Sequence, residues 1–130
     1  MLGRVYYILG DFQEAKKYFE AVLKERPTDI FSMSKLSSIA FKTGEEGKAL
    51  SFLDEIQRNK KSFDFGYTNY FVAQAMAQGQ RFDEAFRFLK EAVKEGDLLS
   101  VIDYENDPLL EQMHAMPEWQ DIMNYWTEKN

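Results

Sequence analysis

The sequence contains no cysteine, one histidine and only three prolines. Without cysteine there is no disulfide, no zinc–thiolate site and no thiol nucleophile, and the chain suits a reducing compartment. Long apolar runs are missing as well. The N-terminal run Val5-Tyr6-Tyr7-Ile8-Leu9 ends after five residues at Gly10-Asp11, far short of the ~18 a membrane span requires. One basic residue precedes it, which does not make a signal peptide. Positive charge is scarce: 16 basic against 22 acidic residues leave a net charge of −6. The basic residues are dispersed, with Lys16-Lys17 and Lys60-Lys61 the tightest groups. Nucleic acid and anionic membranes call for a dense basic patch, so neither is expected as a partner. A cytoplasmic chain is the reading that remains. The phosphate loop, the dinucleotide fingerprint and the nucleophile elbow are absent too, and no cofactor is expected.

What the chain does have is a repeat. Its 130 residues are 45% hydrophobic and 29% charged, enough for one globular domain over residues 1–130. Gly10-Asp11-Phe12 is a turn followed by apolar residues at helical spacing: Phe12, Ala15, Phe19 and Val22. Pro27 stops that helix and biases Arg26 away from helical geometry. Gly44 opens a second turn before Ala49, Phe52, Leu53 and Ile56. Gly79 opens a third before Phe82, Ala85, Leu89 and Ala92. Ala15, Ala49 and Ala85 are spaced 34 and 36 residues apart, the period of stacked helical hairpins. The upstream half of each unit is helical as well. Ser32 to Lys42 places Met33, Leu36, Ile39 and Ala40 on one face, and Tyr67 to Ala77 does so with Tyr70, Ala73 and Ala77. No segment alternates like a strand, so the expected class is all-α.

These residues resemble the tetratricopeptide repeat, a helix–turn–helix unit of about 34 residues. Leu2, Gly3, Tyr6, Gly10, Ala15, Phe19, Val22 and Pro27 match its pattern. Leu36, Ser37, Ala40, Gly44, Ala49, Leu53 and Ile56 match it again, with Lys61 in place of the last proline. Val72, Ala73, Met76, Ala85, Leu89 and Ala92 make a looser third match, with Gly79 one residue early. The resemblance implies a right-handed α–α superhelix of about three hairpins: residues 1–27 as a partial repeat, then 28–61 and 62–96. Small residues at Ala15, Ala49 and Ala85 let helices approach, and Phe19, Leu53 and Leu89 fill the gap. By the family pattern the first unit lacks its opening residues, which implies a longer parent chain.

After Gly96 the pattern fades. Asp97 is a cap for a short helix over Leu98–Ile102, and Asp107-Pro108-Leu109-Leu110 is a helix start with Asp as N-cap and Pro in the first turn. Pro117-Glu118-Trp119 begins another helix that includes Ile122, Met123 and Trp126. This ending is similar to the close of repeat regions in bacterial signalling and regulatory proteins, among them some cyclases and transcription regulators. Residues 97–130 are read as capping helices.

Candidate sites divide unevenly. His114 has no second histidine or thiolate to complete a site, and a packing role is expected. Asp103, Glu105 and Asp107 alternate like a calcium loop, but Pro108 stands where that loop needs glycine and His114 where it needs glutamate. Glu45-Glu46 and Asp83-Glu84 sit at helix starts, where they complement the helix dipole. No metal site and no enzyme activity is expected.

What the resemblance offers instead is a concave groove, lined by the first helix of each hairpin, that binds a peptide or partner segment. The positions that map there are Arg4, Tyr7 and Ile8, then Phe31, Ser34, Lys35, Ser38, Phe41 and Lys42, then Tyr67, Tyr70, Phe71, Gln74 and Gln78. Arg4, Lys35, Ser38, Lys42, Tyr67, Tyr70 and Gln74 are the candidate binding residues, with Tyr67, Tyr70 and Lys35 expected at the surface. Chaperone-binding relatives clamp a C-terminal carboxylate with Lys, Asn, Lys and Arg. Here Arg4, Lys35, Tyr67 and Phe71 stand at the matching places, which argues against that ligand. The alternative is a regulatory or self-associating domain of a larger signalling protein, pairing as a homo-oligomer through the truncated first repeat.

Overall fold

The computed structural model describes residues 2–60, 66–96 and 104–129. Among them there is no strand: α1 (Leu2–Ile8), α2 (Phe12–Glu25), α3 (Ile30–Lys42), α4 (Glu46–Arg58), α5 (Tyr67–Gln78) and α6 (Phe82–Glu95) are followed by a 3₁₀ helix (Pro108–Met113) and α7 (Pro117–Lys129). The expected helix over Leu98–Ile102, its cap Asp97, and Lys61 and Asp103 lie outside the described residues.

The chain forms two compact units, Met1–Lys60 and Lys61–Asn130. In the first, α1 packs on α2, α3 on α4, and α2 on α3, so two hairpins stack. In the second, α5 packs on α6, the 3₁₀ helix lies against α5, and α7 lies against α6. The alanines expected at the closest helix approaches, Ala15, Ala49 and Ala85, are fully buried, and Phe19, Leu53 and Leu89 are buried beside them. Each large apolar side chain so buried contributes about 1.5–3 kcal/mol. Phe31 meets Phe19 edge-on at 6.0 Å, joining the two hairpins of the first unit.

The three hairpin turns share one backbone design. At the end of α1 the Gly10 N–H donates to the Tyr7 carbonyl and the Asp11 N–H to that of Tyr6. Gly44 and Glu45 repeat this onto Phe41 and Ala40, and Gln80 and Arg81 onto Ala77 and Met76. This paired closure satisfies the last carbonyls of each helix and requires a left-handed residue. Gly10 and Gly44 supply it at φ +83° and +82°. In the third turn the left-handed residue is Gln80, at φ +59°, not Gly79. The glycine that looked one residue early is an ordinary helix C-cap at φ −88°, and the turn keeps its register without the family's glycine.

Helix starts differ more than helix ends. Asp11 and Asp29 accept hydrogen bonds from the backbone N–H groups of Glu14 and Ser32, ordinary side-chain caps. α5 starts on Gly66, left-handed at φ +85°, where a Cβ would lie 2.5 Å from the Ala92 carbonyl oxygen of α6. Only glycine fits beneath that carbonyl.

Candidate functional site

α5 carries no charged residue, and from Thr68 to Ala77 all but Phe71 are buried. A helix enclosed this far must find acceptors for its polar side chains. Tyr70, Gln74 and Gln78 stand at i, i+4 and i+8, in one row along the helix. All three donate to the segment that opens the 3₁₀ helix. The Tyr70 hydroxyl donates to Asp107 Oδ2. Gln74 Nε2 donates to the same oxygen at 2.5 Å, and Gln78 Nε2 to the Leu109 carbonyl at 2.8 Å. The other Asp107 oxygen accepts from the Leu109 N–H at 2.9 Å, the N-cap bond that the sequence pattern anticipates. Tyr104 packs against Tyr70 with ring centroids 5.3 Å apart. Leu109, Leu110 and Met113 are buried beyond the carboxylate. Burial, and then the adjacent Asp107 charge, push the Tyr70 phenol far above its ordinary range, so it stays a donor at any physiological pH.

The seven candidate binding residues therefore fall into two groups. Arg4, Lys42 and Tyr67 are exposed. Lys35, Ser38, Tyr70 and Gln74 are buried, which corrects the expectation that Lys35 and Tyr70 lie at the surface. Lys35 places its ammonium 4.9 Å from the Phe31 ring centroid. Ser38 donates to the Ser34 carbonyl at 3.0 Å and also bonds the Tyr7 hydroxyl, whose pKa burial raises well above the usual phenol range. Ser34 in turn donates to the Phe31 carbonyl at 2.7 Å. Tyr67 remains open to solvent beside Phe71, their centroids 6.0 Å apart.

Two features had no sequence signal. The first unit holds a cavity of about 290 Å³ between α2, α3 and α4, walled by Phe12, Leu36, Ile39, Ala40 and Phe52, with Lys16, Lys48, Glu20 and Glu45 among its polar lining. Its charges balance, and its existence depends on how three helices diverge. The second is the additional role of Asp107, legible in sequence only as a cap. His114 packs on Trp119 at 4.3 Å between ring centroids, with Nε2 buried and unpartnered. Among the described residues no cluster of three His, Asp or Glu side chains could hold a metal ion, and no helix is long and apolar enough to cross a membrane.

Helical hairpins that share one turn design and recur at 34 and 36 residues define an all-α repeat protein. The family model described as the tetratricopeptide repeat matches residues 1–29, the first hairpin and its closing turn. That match, together with the helical hairpins, supports a tetratricopeptide-repeat reading of the chain; repeats of this family generally act as protein–protein interaction modules. Neither curated proteins nor solved structures yield a match to it.

Proposed function

We propose that the chain is a non-catalytic interaction module that takes an extended segment of a protein partner on the inner face of its hairpins' first helices. One observation carries this reading. The row of α5 proposed as its inner face already bonds another piece of polypeptide, the cap and first turn of the 3₁₀ helix, through side-chain donors to a carboxylate and a backbone carbonyl. Arg4, Lys35, Ser38, Lys42, Tyr67, Tyr70 and Gln74 are the residues proposed for the inner faces. Arg4, Lys42 and Tyr67, being exposed, are the ones a partner meets first. The non-catalytic part follows the family's general character, and a cytoplasmic setting is proposed with it.

Photo-crosslinking tests the assignment. A crosslinkable residue at Tyr67 is expected to capture a partner that the same residue at the exposed Glu91 of α6 does not. Equal capture at both places, or capture at Glu91 alone, would move the interface off α5.

A second reading has its own observation. α1 and the residue after it expose Val5 (50%), Ile8 (51%) and Leu9 (73%) at i, i+3 and i+4, an apolar stripe. The residue 34 positions after Val5 is Ile39, which is only 4% exposed, in a helix that α2 covers. The uncovered stripe favours a regulatory or self-associating domain of a larger signalling protein, joined through α1. Self-association is expected to appear in sedimentation velocity as concentration rises, and to vanish in Ile8→Lys. A monomer at every concentration rejects it.

A further inference from the structure

We infer that the inner face of α5 is a receptor for an acidic helix start, a capping carboxylate followed two residues later by a backbone carbonyl and an apolar side chain, and that Asp107–Leu109, the cap and first turn of the 3₁₀ helix, occupies it as the chain's own ligand. This rests on the reading that the inner face takes partner segments, and it specifies their chemistry.

The row on α5 presents donors: one phenol O–H and two primary amides, from Tyr70, Gln74 and Gln78. Such a row selects acceptors, and it meets the two that an acidic helix start offers here, the capping carboxylate and a main-chain carbonyl of the first turn. The carboxylate's two oxygens are divided between the roles. Oδ2 takes both α5 donors, and Oδ1 turns back to the Leu109 N–H and shapes the segment that presents it. Buried Leu109 supplies the apolar contact. α5 itself has no lysine or arginine, so the acid is recognised by oriented hydrogen bonds rather than by a point charge. Held in the same chain, the segment competes at an effective concentration of roughly millimolar. A partner with the same chemistry therefore meets a masked face, uncovered in proportion to how far residues 107–109 are loosened.

The test is the titration of a fluorescently labelled peptide spanning Tyr104–Met113 into the full chain, read by anisotropy. Two variants loosen the internal segment without touching α5. Asp107→Asn keeps a competent N-cap but turns an amide donor toward Tyr70 and Gln74. Pro108→Gly frees the backbone of an exposed residue and adds unfolded-state entropy. Asp107→Asn is expected to bind the peptide about tenfold tighter than the native chain, because unmasking removes the internal competitor. Pro108→Gly is expected to shift affinity the same way by a smaller factor. Gln74→Ala added to either variant, or Asn in place of Asp107 in the peptide, is expected to abolish the gain. If both loosened variants keep native helicity and bind no better than the native chain, residues 107–109 are a fixed part of the fold and the inference is overturned. It is overturned equally if neither variant folds. If one fails to fold, the other decides. Crosslinking at Tyr67 separates the outcomes: a partner captured there while the peptide does not bind leaves the interaction face standing with a different ligand chemistry.

Discussion

α3 and α5 hold the same place in successive hairpins, yet their polar rows point to different ends. On α3 the row is Ser34, Ser38 and Lys42; the two serine hydroxyls return to carbonyls of their own helix, Ser38 also bonds the Tyr7 hydroxyl of α1, and Lys42 reaches solvent. On α5 the corresponding residues, 36 positions later, are Tyr70, Gln74 and Gln78, and all three bond residues 107–109. Side-chain length contributes to the difference: Ser34 and Ser38 bond back to the preceding turn, whereas a phenol or a glutamine amide is long enough to reach the segment at residues 107–109. The same framework gives a row whose serines bond chiefly within their own helix and a row that bonds a segment more than 30 residues later. The two helices also start differently, on the side-chain cap Asp29 and on left-handed Gly66, and end differently, at Gly44 and at Gln80.

The largest effect is expected at the start of α5. Gly66→Ala combines a left-handed backbone with a Cβ 2.5 Å from the Ala92 carbonyl oxygen. It is expected to cost about 3 kcal/mol or more in urea unfolding, since neither the torsion nor a backbone oxygen gives way cheaply. A loss below about 1 kcal/mol would mean that α5 can start as freely as α3 does. Next comes the start of α3. Asp29→Ala removes the acceptor of the 2.9 Å bond from the Ser32 N–H and is expected to cost about 1 kcal/mol. If the two substitutions cost the same by the denaturant midpoint at equal slope, the contrast between the starts fails. The ends of the helices carry effects of opposite signs, the stabilising one the smallest of the set. Gln80→Gly is expected to stabilise by about 0.5–1 kcal/mol by relieving a left-handed non-glycine, and Gly44→Ala to destabilise by about 1–2 kcal/mol. Thermal melts of the pair check both signs. A destabilised Gln80→Gly would show that the exposed glutamine side chain has a role beyond its torsion.

Much of this architecture is legible in the residues. Ala15, Ala49 and Ala85 set the hairpin period, Pro27 the end of α2, and Asp107-Pro108 the start of the 3₁₀ helix, because each acts through local sterics or a bond to a residue two or three positions away. α3 starts two residues before its expected limit and α5 ends one after; helix ends answer to caps such as Asp29 more than to periodicity. The site is less legible. The resemblance assigns Tyr70 and Lys35 to inner faces but is silent on what covers a face. Tyr70 is closed by a residue 37 positions away. A pairing over that distance depends on how the chain returns, which no local pattern encodes. Gly79 misleads for a related reason: glycine marks permission for a left-handed torsion, and Gln80 adopts it without permission.

The hairpin turns bear on how the chain can diverge over generations. A Cβ built at Gly10 or Gly44 meets nothing within 4 Å, so no neighbour enforces glycine there. The only penalty for replacing it is the torsion itself, about 1–2 kcal/mol, and it stays at the site where it arises. A mutation of that kind repacks no helix and shifts no register; a lineage with spare stability can absorb it and lose the signature letter by drift while the hydrogen-bonded closure persists. Gln80 holds in the third turn the left-handed place that Gly10 and Gly44 hold in the first two, the form such a replacement would take.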